Sequence, residues 1–225
     1  MMKIGIIGAM AEEVAILLAK MTDTQTTTVA TRTFHEGQLF GKPVVVVQSG
    51  IGKVNAGIVA QSMITTFGAT HVINTGIAGS LDNALDIGDI VISQDTAYHD
   101  VHVEEFGYPR GQVPGIETVA FPASEQLISL VPKRDHIKVG TIVTGDQFIS
   151  NNAIKKDIQK DFRALCVEME GAAIGQTCYL NEVPFLIVRS ISDKADDHAD
   201  ETYKMNMELA VERSTEITEA ILKNL

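Results

Sequence analysis

No stretch of this 225-residue sequence reaches the roughly 18 consecutive apolar residues that a membrane-spanning helix needs, so a membrane-embedded protein is not expected. Cysteine is scarce, with only Cys166 and Cys178. The two could pair in principle, but two thiols without a secretory signal are expected to be buried and reduced, and neither is given a catalytic role. Basic residues are also too few and too scattered for a nucleic-acid partner. Eighteen Lys and Arg stand against 29 Asp and Glu, a formal net charge of -11, whereas a phosphate backbone is bound through clustered cations. An anionic membrane surface is disfavoured for the same reason. His99, His102 and His198 show no metal-ligand spacing; they read as surface or loop residues, and no metal is expected. Pro-rich linkers, internal repeats and low-complexity segments are missing as well. The opening MMKIGIIGAM runs into acidic, helix-like sequence instead of a cleavage site, so the expectation is one domain over residues 1–225, located in the cytoplasm.

What is present is an ordinary globular composition, 45% hydrophobic and 21% charged, long enough to bury a sizeable core. Short Val- and Ile-rich runs (KIGII, PVVVVQS, HVINTG, DIVIS, KVGTIV and PFLIVRSIS) alternate with segments of helical period. Continuous apolar strands bounded by turns predict a sheet buried on both faces and largely parallel. Helices are predicted over Glu12–Lys20, Lys53–Phe67, Asn152–Phe162 and Gly171–Leu180, and in the tail, where Ala210, Ser214, Ile217, Ile221 and Leu225 recur at helical spacing. The fold class is therefore α/β. The longest candidate loop, Tyr98 to Pro122, is expected to be functional or interfacial, because loops of that length are uncommon in compact domains.

Three strands run into glycines, in GIIGAMAEE, QSGIGKVNAG and NTGIAGS. None fits a dinucleotide or P-loop fingerprint, and any one alone reads as tight strand-to-helix packing. Three together, at strand ends where open α/β sheets bind ligands, point to a ligand site. Acidic residues stand in the same places: Glu12 and Glu13 after the first turn, Glu168 and Glu170 in VEMEGAAI, and Asp193 after Ser192. Glu12 and Glu13 could simply complement a helix dipole, and Asp193 could cap a turn. Glu170 is harder to explain structurally, since it opens a small-residue segment that lets a helix approach the sheet. A carboxylate at such a buried start needs a partner, for which Arg189 is the candidate.

In the same order and at similar spacing, GIIGAMAEEV, QSGIGKVNA, NTGIAGS, YHDVHVEEFGYPRGQVPG, TGDQFI, VEMEGAAI and VRSISD resemble the motifs of bacterial 5'-methylthioadenosine/S-adenosylhomocysteine nucleosidases, members of the nucleoside phosphorylase superfamily. The resemblance spans essentially the whole chain. It implies a three-layer αβα sandwich around a twisted mixed sheet, a homodimer, and cleavage of adenine thionucleosides by water without a cofactor. By resemblance, Asp193 is the general acid at adenine N7, supported by Ser192, and Glu13 activates the water. Glu170 accepts the ribose hydroxyls, with Arg189 in the same neighbourhood. Phe148 stacks on adenine, Ile149 offers backbone groups to its edge, Met169 packs beneath the sugar, and the backbone of Ala78 and Gly79 faces the nucleoside. Met10, Ile51 and Tyr203 line an apolar 5' pocket, completed by Val103, Phe106 and Pro114 of the partner subunit.

The chain departs from the family pattern at Ile77, where Ser or Thr is usual, and at Ser80, where a second Gly is usual; the first change removes a hydroxyl near the ribose. The alternatives are a nucleoside phosphorylase, a futalosine-type hydrolase, or a non-catalytic nucleoside binder. Phosphorylases of the superfamily surround phosphate with arginines, whereas Glu12 and Glu13 would repel it. A pure binder has no need of Glu13, Glu170 and Asp193 together.

Overall fold

A run such as PVVVVQ has no polar face to offer water, and the chain buries it on both sides. In the computed structural model, which describes residues 2–225, such runs form the centre of one continuous sheet. The elements follow as β1 (Ile4–Gly8), α1 (Ala11–Lys20), β2 (Thr22–Val29), β3 (Arg32–Leu39), β4 (Lys42–Gln48), α2 (Lys53–Thr65), β5 (His71–Ser80) and β6 (Ile90–Tyr98). After the long loop come β7 (Ala120–Pro122), α3 (Glu125–Ser129), β8 (Ile137–Thr144), α4 (Asn152–Phe162), β9 (Cys166–Glu168), α5 (Gly171–Leu180), β10 (Phe185–Asp193) and α6 (Ala199–Asn224). Helices α1 and α6 pack together on one side and α2 and α5 on the other, giving the three-layer α/β arrangement.

The sheet is less parallel than the apolar runs predict. Among the described residues its order is β10-β6-β8-β9-β5-β1-β4-β3-β2, and β10 also pairs with β5, so five strands close into a ring from which β1 to β4 extend. Antiparallel pairs join β10 to β6, β2 to β3, β3 to β4, β5 to β9 and β6 to β7. Periodicity reports burial on both faces, and burial alone does not distinguish strand directions. The β2 strand, TDTQTTTV, is exposed along nearly its whole length and so carries no apolar signal. Helix α6 starts eleven residues before Ala210, with a first half largely exposed and hence without the apolar stripe seen in its second half. Cys166 and Cys178 are buried free thiols, each pushed up by burial.

The long loop is held down by charge. Asp100 accepts from Lys53 Nζ at 2.6 Å and from the Asp146 N–H at 3.0 Å, and Arg110 Nη1 reaches Asp157 and Asp161 of α4 at 2.7 and 2.8 Å. His99 sits at its buried start, 2% exposed, with Nε2 lacking a partner, so of the surface or loop placements the sequence allows it takes the loop, whereas His102 and His198 are exposed.

The feature that organises the site is the set of four parallel strands β4-β1-β5-β10 at the centre of the sheet: β1 pairs with β4, and β5 pairs with both β1 and β10. Their carboxyl ends lie side by side, where open α/β sheets place ligands. The ends of β1, β5 and β10 carry Ala9 to Glu13, Gly76 to Ser80 and Arg189 to Asp193.

Candidate active site

Glu13 occupies the first turn of α1, yet its carboxylate turns back toward the strand end and is only 3% exposed. It accepts N–H bonds from Ala9 at 2.6 Å, Met10 at 3.0 Å and Ile77 at 3.2 Å. The close approach to β5 requires Gly76: a Cβ there would lie 2.5 Å from Glu13 Oε1 and 3.0 Å from Arg189 Nη1. Burial pushes the Glu13 carboxyl up, and the Arg189 charge and the three N–H groups oppose that.

Arg189 is the largest fully buried side chain, 1% exposed. Its closest partner is Glu168; Glu170, the carboxylate that the sequence pairs with it, forms a longer ion pair, with Oε2 3.7 Å away. The guanidinium also donates to Asn74 Oδ1 at 2.6 Å, and Asn74 in turn donates to the Ile7 carbonyl at 2.8 Å. Glu168 completes its shell with the Thr144 hydroxyl and the N–H groups of Glu170 and Gly171. This leaves Glu170 with one oxygen on the Gly52 N–H, at 2.8 Å, and its carboxyl is pushed well up, first by burial and then by the neighbouring Glu168. Glu168 was visible in the sequence as half of an acidic pair, but nothing there says which member faces the arginine.

Asp193 ends β10 and is 2% exposed. Its Oδ2 accepts from the Ser192 hydroxyl and its Oδ1 from the Ala195 N–H, both at 2.8 Å. The second bond is the turn cap that the sequence allows. Burial raises its carboxyl above the usual range.

These groups border one cavity of about 450 Å³. Of the residues singled out from the sequence, Met10, Glu13, Ile51, Ala78, Gly79, Phe148, Met169, Glu170, Ser192, Asp193 and Tyr203 line it. Phe148 meets Tyr203 edge-to-face at 5.8 Å, and the Tyr203 hydroxyl donates to Met10 Sδ at 3.4 Å, so an aromatic and thioether wall faces the carboxyls. Two residues expected at this chain's own site do not line it: Arg189 lies behind Glu168 and Glu170, and Ile149 packs into a separate core cluster with Leu81 and Val143. Val103, Phe106 and Pro114, which the resemblance assigns to the partner's pocket, belong to the long loop outside the cavity. Ile77 borders the cavity with an apolar side chain while its N–H is spent on Glu13. Glu168, flagged in the sequence only as half of an acidic pair, also lines it, and Ala9, Val167, Asp200 and Lys204 line it without having been singled out; Asp200 and Lys204 belong to the exposed half of α6, which carries no periodic signal.

A mostly apolar cavity bordered by Glu13, Glu170, Asp193 and two further carboxyls beside the ends of parallel strands defines an α/β enzyme of small-molecule chemistry. Comparison with known proteins narrows this. Residues 3–223 match the family model described as the phosphorylase superfamily. The 5'-methylthioadenosine/S-adenosylhomocysteine nucleosidase of Staphylococcus aureus (strain MRSA252) is 45% identical over 228 residues, covering 99% of this chain and all of the relative. The nucleosidase of that name from Neisseria meningitidis, solved with methylthio-immucillin-A, superimposes with a TM-score of 0.96 at 38% identity over the full length of both chains. Futalosine hydrolase of Helicobacter pylori strain 26695 superimposes with a TM-score of 0.95 at 34% identity, over 100% of this chain and 98% of that one. The chain belongs to the phosphorylase superfamily and, within it, to the 5'-methylthioadenosine/S-adenosylhomocysteine nucleosidases.

Proposed function

We propose that this protein hydrolyses the N-glycosidic bond of 5'-methylthioadenosine and S-adenosylhomocysteine, and also of 5'-deoxyadenosine, releasing adenine in methionine salvage in the cytoplasm. The observation that carries the reading is that Glu13, Glu170 and Asp193 border a single cavity with an aromatic wall. In the proposed reaction, the C1'–N9 bond breaks through an oxocarbenium-like transition state as Asp193 gives its proton to adenine N7. Water adds to C1' and surrenders a proton to Glu13. This divides the labour between two carboxyls much as in glycoside hydrolysis. Glu170 accepts the ribose hydroxyls, Met169 packs under the sugar, the backbone of Ala78 and Gly79 faces the nucleoside, Phe148 stacks on the base, and Ile149 holds its edge. Met10, Ile51 and Tyr203 take the 5'-alkylthio group. The burial that raises Asp193 favours the protonated form a donor must have.

The same reading includes one catalytic domain per chain and a homodimer. Phe106, 78% exposed, and the neighbouring Val103 and Pro114 have no cavity of their own chain to fill. Beside the same loop, Val54 of α2 and Leu180 of α5 are exposed along a groove that also includes Val101 and Val113. Apolar surface of this kind marks an interface, and a two-fold dimer is its default closed form.

Release of the free base, adenine from methylthioadenosine and adenosylhomocysteine and hypoxanthine from futalosine, measured without phosphate and with a chelator present, tests the proposal. Cleavage of the first two under these conditions is expected. A sugar 1-phosphate product, loss of activity to the chelator, or preference for futalosine would overturn it.

A further inference from the structure

We propose that Lys155 is a positioning residue for Asp193, fastening the turn that carries this carboxyl from outside the cavity. The inference rests on the reading of Asp193 as the proton donor. Lys155 is the fourth residue of α4 and is only 6% exposed, unusual for a lysine. Its Nζ donates to the main-chain carbonyl of Lys194 at 2.6 Å. Lys194 directly follows Asp193, and the next residue, Ala195, has φ +50, a left-handed conformation that an alanine adopts only where its surroundings impose it. In that conformation the Ala195 N–H donates to Asp193 Oδ1 at 2.8 Å. Fixing the Lys194 carbonyl therefore fixes the peptide whose N–H orients the acid.

Neighbouring contacts point the same way. Asn152, three residues earlier on α4, holds Asp197 through its N–H at 3.2 Å and its Nδ2 at 2.7 Å. The Lys194 ammonium reaches back to the Leu85 carbonyl, and Gln159 of α4 donates to the Leu81 carbonyl. Helix α4 begins four residues after Phe148, so the loop that carries the cavity's aromatic ring runs directly into the helix that holds the acid's turn. Gly79 makes the same turn sterically tight: a Cβ there would lie 2.8 Å from Asp193 Oδ1 and 3.1 Å from Ala195 Cβ.

Lys155 also supplies charge. The charged groups acting on Asp193 are Lys155 from α4, which draws it toward the ionised form, and Asp196 in its own turn, which opposes that. Glu13 of α1 and Asp200 and Lys204 of α6 border the same cavity. Replacing Lys155 by a neutral side chain thus has two effects that a purely structural residue would not combine: the acid is aimed less well, and it keeps its proton to higher pH.

The test is Lys155→Met, with Lys155→Arg and Asp193→Asn measured beside it, as kcat, KM and the pH profile of kcat on methylthioadenosine. A displacement of about 1 Å can cost roughly 10²-fold in rate. We expect kcat of Lys155→Met to fall about tenfold or more with KM within about twofold, its alkaline limb to move to higher pH, and Lys155→Arg to recover most of the rate. An unchanged kcat and limb overturn the proposal, as does a rate loss with an unmoved limb that tracks the loss of folded protein by circular dichroism. If Asp193→Asn itself keeps wild-type kcat, Asp193 is not the donor and both this inference and the proposed mechanism fall. If Asp193→Asn is inactive while Lys155→Met is normal, only the positioning role falls.

Discussion

Replacing Arg189 with methionine removes the one cation shared by three carboxyls that the fold buries. The guanidinium bonds Glu168 and Asn74, stands 3.7 Å from Glu170 and offsets the burial of Glu13. Breaking a buried ion pair by deleting one partner costs about 3 to 5 kcal/mol, because the other charge is left without compensation. Set against a usual domain stability of about 5 to 15 kcal/mol, the variant should fold but be severely weakened. The penalty should also depend on pH. Arg189 lowers the carboxyls of Glu13 and Glu170 against burial, so its loss lets both rise further above their unfolded values. The folded variant then holds protons that the unfolded chain has released, and its stability falls as pH rises from the ordinary carboxylate range through the raised folded values. For each carboxyl the fall is about 1.4 kcal/mol for every pH unit that separates its folded and unfolded titrations. Urea denaturation of both proteins at pH 5 and pH 8 measures this. The expected loss is about 3 to 5 kcal/mol at pH 8 and distinctly less at pH 5. A loss below about 1 kcal/mol at pH 8, or an equal loss at both pH values, would refute the reasoning.

Asp193→Asn and Glu13→Gln keep shape but cannot exchange a proton, so each should lower kcat by about 10² to 10⁴ while nucleoside binding survives; a variant retaining half the wild-type kcat removes that residue from the mechanism. Methylthioadenosine should exceed adenosine in kcat/KM, since Met10, Ile51 and Tyr203 leave a 5'-hydroxyl few partners. An apolar pocket rejects an added hydroxyl by only about 10², so comparable values for the two nucleosides would move the 5' pocket elsewhere. Val54→Lys, at a site 71% exposed, should shift the protein toward monomer in light scattering and lower activity with it; an unchanged dimer would place the interface off α2.

What the sequence made legible follows from how burial writes itself into residue order. Six apolar runs became β1, β4, β5, β6, β8 and β10; all but β8, which exposes Val139, are buried along most of their length, and strands buried on both faces have to be apolar throughout. The β2–β3 hairpin escaped because its outer strand buries almost nothing, and the three-residue strands β7 and β9 are too short for any period to register. In the site, Glu13 could be singled out because a glycine turn flagged the strand end next to it, and Asp193 because it closes the buried run PFLIVRSISD. The role of Glu168 could not be read, because which of two carboxylates separated by one residue meets Arg189 more closely depends on where β9 stops and α5 starts, and Glu170 lies in the gap between them. Asp200 and Lys204 stayed hidden for a different reason: exposed charges on an exposed helix turn look the same whether or not a cavity opens beside them.

The proposed chemistry needs two carboxyls of one cavity in opposite protonation states, although burial raises both. Their difference lies in what else touches them. Glu13 receives three backbone N–H bonds and the field of a fully buried arginine, all of which favour its ionised form. Asp193 receives one backbone N–H, one hydroxyl and a more distant lysine, and Asp196 pushes against ionisation. The first environment suits a base that takes a proton from water, the second an acid that keeps one until the leaving base needs it. Gly76 makes the asymmetry possible, since only a residue without Cβ lets β5 pass close enough for Glu13 and Arg189 to share its surface. The roles therefore belong to the surroundings more than to the side chains. Moving the arginine's field to the Asp193 side would favour the ionised form of that carboxyl and work against its donor role, even though every residue of the cavity wall stayed in place.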